Sequence, residues 1–132
     1  MRTKVLLLDS KKKPEGLGRD NWRIEASMTL KDSGMDPIRN YTNYYNPDTS
    51  FEEFYSNTIF SLKNSNVVLV NLDEYDDCIL LTLVYAKELG IPVVAFSKDK
   101  QIVKSKIMIH YCTKLFTDLK KCLEYIRLHY SL

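Results

Sequence analysis

Four carboxylates lie within five residues of one another, directly after a short apolar run. They are Asp73, Glu74, Asp76 and Asp77, and the run before them, residues 67–70, reads VVLV. A continuous β-branched run is typical of a strand that is covered on both faces in a parallel sheet. In a partly desolvated cleft, a carboxylate can act as a nucleophile or a base. We therefore predict a ligand site here, in which Asp73 and Asp76 are the candidates for catalysis if the protein is an enzyme. A solvated acidic turn explains Glu74 and Asp77 equally well, although Asp77 is kept as a ligand-binding candidate.

A second candidate region is dense in tyrosine and asparagine. Residues 40–48 read NYTNYYNPD, with Tyr44 at their centre. Rigid amphipathic rings can stack on a base while amides hydrogen-bond to its edge. We therefore expect Tyr44 to contact a ligand, while tyrosines that cover a rim or an oligomer contact explain the same composition equally well.

The elements that position these residues alternate between strand and helix along the chain. Apolar runs predict five strands, and helical periodicity with capping residues predicts the helices between them. We therefore predict a single α/β domain over residues 1–132, a doubly wound five-stranded parallel sheet of flavodoxin-like order 2-1-3-4-5 with helices on both faces. The switch point of such a sheet lies between strands 1 and 3, so the exit loops of these strands face each other.

Local signals mark the ends of two helices. Ser50 and Glu53 have the spacing of a capping box and predict a helix over Phe51–Lys63. Thr117 is predicted to cap the last helix, whose apolar residues recur at intervals of three and four.

Two segments fit either a helix or a strand. Residues 22–30 have apolar residues at helical spacing but also alternate, and a helix is favoured because Gly34 supplies a stop. Residues 101–110 are also predicted to be helical.

Several residues, spread in order along the chain, form a family signature. The main ones are Asp76, then Tyr85 and Ala86, then residues 89–94, LGIPVV. Residues elsewhere in the chain extend the match: Asn21, Trp22, Arg23, Pro37, residues 65–68 and residues 115–126. Together they resemble the nucleoside 2-deoxyribosyltransferase-like proteins over most of the chain. The resemblance implies the fold of that family and a nucleoside-like pocket.

The resemblance also implies which residues line the pocket. In the family, the exit loop of the first strand lies against sugar or phosphate, so we expect Asp9 and Ser10 there, with Trp22 and Arg23 from the helix that follows. The three lysines at residues 11–13 could hold an anionic group, and a solvated lysine run explains them as well. Residues 73–77 are named the acidic loop. Its carboxylates suit ribose hydroxyls, as acidic residues do in dinucleotide-binding folds.

The chain differs from the family at the position of the catalytic residue, so the pocket can be present without the reaction. In family enzymes a glutamate on the helix attacks the anomeric carbon of the sugar, and the corresponding position here is Thr82. No glutamate lies between Asp76 and Lys87, and a threonine cannot take that role. We therefore predict that the protein binds a nucleoside or nucleotide derivative, with Thr82 in the pocket, and lacks the glycosyl-transfer chemistry. Sequestering or sensing a nucleotide signal is a role of this kind.

Two alternative functions remain open. An active nucleoside deoxyribosyltransferase or nucleotide N-glycosidase would use a loop aspartate, Asp76 or Asp73, in place of the missing glutamate. A protein-interaction module of the same shape would bind no small molecule.

The helix predicted to begin near residue 79 is apolar on nearly every side. Its first two turns read ILLTLVYA. A helix in a single layer over a sheet should be polar on its outer face. We therefore predict a homo-oligomer that forms through residues 79–89, and the resemblance implies the same.

Composition bounds the remaining possibilities. Of the 132 residues, 45% are hydrophobic and 27% charged, with a net charge of +2 and no basic stripe, so we expect no nucleic-acid partner. Apolar runs are short and no signal peptide is recognised, so we expect no membrane partner and a cytoplasmic location. The three cysteines match no zinc spacing and suit reduced, buried thiols, so we expect neither a metal nor a cofactor.

Overall fold

A computed structural model of the chain describes residues 2–8, 21–39, 48–73 and 75–131. Strands and helices alternate along it. In chain order the elements are β1 (Lys4–Leu8), α1 (Asn21–Asp32), β2 (Asp36–Arg39), α2 (Phe51–Lys63), β3 (Val67–Asn71), α3 (Asp77–Leu89), β4 (Val93–Phe96), α4 (Lys100–Val103), α5 (Lys106–Tyr111), β5 (Lys114–Phe116) and α6 (Leu119–Tyr130).

The five strands form one parallel sheet of order β2-β1-β3-β4-β5. The predicted fold class and strand order are therefore confirmed. In the centre of the sheet Leu6 pairs with Val68, which in turn pairs with Val93. The order reverses between β1 and β3, so the carboxyl ends of these strands flank the switch point, where sheets of this kind bind ligands.

Helices cover both faces of the sheet and divide the core in two. Alternate strand residues such as Leu6 and Val68 face α2, α3 and α5, while Val5 and Val67 face α1 and α6. All residues of β3 except Asn71 are buried, because neither face of the strand is in contact with water. This explains why the strand reads as a continuous apolar run.

Helix ends follow the capping signals closely. The Ser50 hydroxyl oxygen accepts a hydrogen bond from the Glu53 backbone N–H at 3.1 Å, and α2 has the predicted bounds. Residues 22–30 belong to a helix, as predicted. Gly34 follows that helix with a φ of 80°, a conformation that glycine adopts without a steric penalty.

The cap predicted for the last helix was wrong by one residue. Asp118, rather than Thr117, caps α6, and its carboxylate accepts a hydrogen bond from the Lys121 backbone N–H at 2.9 Å. Both residue types are good caps, and the one directly before the first helical residue takes the role. The predicted helix over residues 101–110 is present as two short helices, because Lys104 ends the first and Ser105 caps the second.

Within the described ranges, no helix combines the length and the apolar character that crossing a membrane requires.

Candidate functional site

The candidate site lies at the carboxyl edge of the sheet, where β3 and β4 end. Asp73, Asp76, Asp77, Thr82, Trp22 and Arg23 belong to the described residues, and the candidates outside them are Asp9, Ser10, Tyr44 and the neighbouring Glu74. The candidate residues that the structure describes therefore belong to the acidic loop, to α3 and to the start of α1.

Asp76 caps helix α3. Its backbone is extended, and its Oδ1 accepts a hydrogen bond from the Ile79 backbone N–H at 2.9 Å. The residue is only 7% exposed. A carboxylate at a helix N-terminus also interacts favourably with the helix dipole. The first role of Asp76 is therefore to fix the start of α3.

Asp73 joins the end of β3 to the segment that follows β4. Its Oδ1 accepts one hydrogen bond from the Ser97 hydroxyl at 3.0 Å and another from the Lys98 backbone N–H at 2.8 Å. The Ser97 oxygen in turn accepts a hydrogen bond from the Asp99 backbone N–H at 3.0 Å. Neither Ser97 nor Lys98 was predicted from the sequence. A signal for both exists, because they directly follow a strand that neighbours β3 in the predicted order.

Tyr75 is a third residue of this edge that was not predicted from the sequence. It is half-buried and packs against the core on the α3 face. Burial raises its pKa, and the negative charges of Asp77 and Asp76 raise it further. The phenol therefore stays protonated and can donate a hydrogen bond throughout the neutral range.

Asp77, like Asp73, is an exposed carboxylate of the acidic loop. It occupies the first turn of α3. Within the described part of the chain, its carboxylate has no hydrogen-bond or ion-pair partner. Of Asp73, Asp76 and Asp77, it is the one that no hydrogen bond to a described residue holds, so both of its oxygens can accept hydrogen bonds from a ligand.

Thr82 lies six residues after Asp76 on α3 and is fully buried. Its hydroxyl donates a hydrogen bond to the Cys78 backbone carbonyl at 2.8 Å. Buried polar groups need such partners, and a threonine in a helix commonly finds one four residues back. Thr82 is therefore a neutral side chain whose hydrogen bond is made within its own helix.

Trp22 and Arg23 reach the same edge of the sheet from its other face. The Trp22 ring contacts Phe96, the last residue of β4, edge to face with centroids 5.5 Å apart. The Arg23 guanidinium carbon lies 5.6 Å from the centroid of the Trp22 ring. Phe96 belongs to the core between the sheet and the α1 and α6 helices. The ends of the central strands therefore separate Trp22 and Arg23 from the acidic loop.

Two surface depressions lie away from this edge. The first follows the outer side of α1 and includes Ile24 and Met28. The second lies at the amino ends of β4 and β5, where Gly90 and His110 line it. Neither includes Thr82 or an acidic-loop residue.

Comparisons with known proteins give structural matches only. No family model matches the chain, and no curated protein matches it. A 2-deoxyribosyltransferase from Bacillus psychrosaccharolyticus has a TM-score of 0.67 at 21% identity, over 93% of this chain and 92% of that one. The Clostridium botulinum CMP N-glycosidase BcmB has a TM-score of 0.61 at 10% identity, over 96% and 100% of the two chains.

A third structure of the same shape is the Vibrio cholerae chemotaxis protein CheY4. Its TM-score is 0.61 at 12% identity, over 97% of this chain and 98% of that one. At these identities the likeness shows that the chain has the fold of the 2-deoxyribosyltransferase structure. Because a chemotaxis protein matches as well as an N-glycosidase does, function has to be argued from the site.

Proposed function

We propose that the protein binds a nucleoside or nucleotide derivative at the carboxyl edge of its sheet and does not transfer the glycosyl group. The observation that carries the proposal is the environment of Thr82, whose buried hydroxyl bonds to the Cys78 carbonyl where the family places its nucleophile. The shared fold with a 2-deoxyribosyltransferase and a CMP N-glycosidase supports the ligand class.

The groups at the edge suit different parts of such a ligand. The Asp77 carboxylate can accept hydrogen bonds from sugar hydroxyls, and the Tyr75 phenol can donate one. On the other face, the Trp22 ring can stack on a base, and the Arg23 guanidinium can pair with an anionic group. Asp9 and Ser10 remain part of the proposal through the resemblance of the sequence, and Tyr44 through the tyrosine- and asparagine-rich composition of residues 40–48.

Loss of catalysis follows from how the loop carboxylates are used. Attack on an anomeric carbon needs a carboxylate oxygen that is free to form a bond. In Asp73, Oδ1 accepts two hydrogen bonds, and in Asp76, Oδ1 caps α3, so the fold already uses one oxygen of each carboxylate. These contacts fix the orientation of both side chains for structural roles.

An active deoxyribosyltransferase or nucleotide N-glycosidase is the alternative, and the exposure of Asp77 favours it. In this reaction a loop carboxylate would attack the anomeric carbon and the base would leave with the bonding electron pair, after which water or a second base would release the sugar. Turnover that depends on Asp77, Asp76 or Asp73 would identify this function. A protein-interaction module, the second alternative, predicts no response to small molecules.

Ligand binding is tested by thermal unfolding with and without deoxynucleosides and their monophosphates. We expect the midpoint to rise with ligand concentration, because a ligand that binds only the folded state stabilises it. Trp22→Ala and Asp77→Asn should each reduce the shift. Asp118→Asn is the matched control, since asparagine also caps helices and Asp118 lies beyond β5. No shift with any of these compounds, at millimolar concentration, would refute the proposal.

We also propose that the protein forms a homo-oligomer through residues 79–89. Leu81 and Val84 are half-buried on α3 but belong to neither core cluster. Beside them, Tyr85 contacts Tyr55 of α2 edge to face, with centroids 5.2 Å apart, and Tyr55 is 45% exposed. A contiguous apolar surface of this kind is suited to a second copy of the chain.

A further inference from the structure

The loop between β3 and α3 is held at three described points. Leu72 is fully buried in the core, and Asp76 caps α3 at the far end. Between them, Asp73 is the point at which a loop side chain bonds to the neighbouring strand exit. The Asp73 backbone N–H also donates a hydrogen bond to the Asn71 side chain at 2.9 Å, which turns the chain toward β4.

One carboxylate oxygen makes both contacts with the β4 exit. Oδ1 of Asp73 accepts one hydrogen bond from the Ser97 hydroxyl and one from the Lys98 backbone N–H. Ser97 is fully buried. Hydrogen bonds to an ionised acceptor are about twice as strong as those between neutral groups. The Ser97 oxygen continues the chain of contacts to Asp99, whose own carboxylate caps α4. The latch, as we name the Asp73, Ser97 and Lys98 contacts, therefore ties the acidic loop to the start of α4.

We propose that Asp73 is a positioning residue, which holds Tyr75 and Asp77 in place through the latch and does not itself contact the ligand. Without the latch, the loop would keep its attachments at Leu72 and Asp76 and the packing of Tyr75 on the core, but would lose its tie to the exit of β4. The Tyr75 and Asp77 side chains would then sample a wider range of positions. That these two side chains meet a ligand rests on the proposed function. The latch itself rests on hydrogen bonds between described residues.

Three variants separate positioning from ligand contact. Asp73→Asn keeps the oxygen that accepts both hydrogen bonds but removes the charge. Asp73→Ala removes the acceptor, and Ser97→Ala removes one donor from the same latch. A carboxylate that attacks the ligand, or that contacts it through its negative charge, would be lost equally in Asp73→Asn and Asp73→Ala, whereas a positioning residue is rescued by asparagine.

Amide hydrogen exchange is the first readout, since it needs no ligand. In Asp73→Ala we expect the Lys98 amide to exchange about tenfold faster or more, because it loses a hydrogen bond to a charged group. The amides of Tyr75 and Asp77 should also exchange faster. Asp73→Asn should retain most of the protection at all three positions. Asp99→Ala is the matched control, which should affect the Gln101 amide and leave Tyr75 and Asp77 unchanged.

Binding of a deoxynucleoside monophosphate, measured by calorimetry, is the second readout. Asp73→Ala and Ser97→Ala should both weaken binding about tenfold, and Asp73→Asn should weaken it about threefold or less. Equal losses in Asp73→Asn and Asp73→Ala would overturn the proposal, as would unchanged exchange of the Tyr75 and Asp77 amides in Asp73→Ala. If the wild-type protein binds no monophosphate, the proposed function fails, and the exchange comparison still decides whether the latch holds the loop.

Discussion

The Thr82 hydroxyl donates its hydrogen bond to the Cys78 carbonyl at 2.8 Å, inside the first two turns of α3. Both partners belong to the same helix, and the threonine side chain has no exposed surface. A larger or charged side chain at this position would therefore meet the core rather than solvent. The proposed absence of a catalytic carboxylate at this position of α3 can therefore be tested by substitution.

Thr82→Glu is expected to destabilise the protein by about 3 kcal/mol or more, because it places an unpaired carboxylate in a fully buried site. Thr82→Val is the control, since it keeps the shape and removes the hydroxyl together with its hydrogen bond. It should change the free energy of unfolding by only about 1 kcal/mol. Urea denaturation measures both. A Thr82→Glu protein as stable as the wild type would show that the side chain reaches an open cavity.

Asp76→Ala is expected to lower the free energy of unfolding by about 1 kcal/mol, because α3 loses its cap. Asp76→Asn should cost much less, since asparagine is an equally good cap. The comparison separates the structural role of Asp76 from a chemical one. If Asp76→Asn were as destabilised as Asp76→Ala in urea denaturation, the carboxylate would be held by its charge and not by the hydrogen bond to the Ile79 N–H.

The thiols of Cys112 and Cys122 are expected to resist a water-soluble thiol reagent in the folded protein. Burial raises the pKa of Cys112 to about 12. The pKa of Cys122 is also raised, mainly by burial and to a smaller extent by the negative charge of Asp118. Only the half-buried Cys78 should react at about pH 8, and all three should react in denaturant. Rapid labelling of two or three thiols in the native state would contradict the packing of β4 against α5 and α6.

The same pKa shift predicts how stability depends on alkaline pH. The folded state keeps Cys112 protonated, whereas in the unfolded chain the thiol ionises near its ordinary value of 9.0. Its contribution to stability is therefore complete below pH 9.0 and is lost as the pH rises toward about 12. Cys112→Ala should show a weaker fall in stability over this range than the wild type. Urea denaturation at increasing pH checks the slope, and an identical slope in both proteins would contradict the assignment.

Leu81→Lys is expected to shift the protein to a smaller assembly, because it places a charge in the proposed contact between α3 helices. Leu128→Lys is the control, since Leu128 is 62% exposed on α6, a helix on the other face of the sheet. Light scattering after size-exclusion chromatography gives the mass of each variant. A monomeric wild-type protein would refute the proposed oligomer.

The fold was predictable because its signals are local. The continuous VVLV run of β3 indicates burial on both faces, and Ser50 with Glu53 marks the start of α2 to the residue. The wrong cap on α6 shows the limit of such signals. Thr117 and Asp118 are both suitable, and periodicity does not resolve a shift of one residue in where the helix begins.

The site was less predictable because its contacts join segments that are distant in sequence. Asp73 contacts Ser97, which lies 24 residues later, and the pairing exists only because β3 and β4 are neighbours in the sheet. The sequence marks Asp73 and Asp76 as carboxylates at the right edge, but it does not tell which carboxylates the fold itself uses. Which carboxylates have a structural role depends on the geometry of the latch, which uses Asp73, and of the helix cap, which uses Asp76. The Asp77 carboxylate has no hydrogen-bond partner among the described residues.

The most direct test of the central claim is to incubate the protein with deoxynucleoside monophosphates and measure bound nucleotide and free base in the same sample by chromatography. We predict that nucleotide is retained with the protein and that free base does not rise above the level of the protein-free control. Free base formed in excess of the protein, and abolished by Asp77→Asn or Asp76→Asn, would contradict the claim and identify an enzyme.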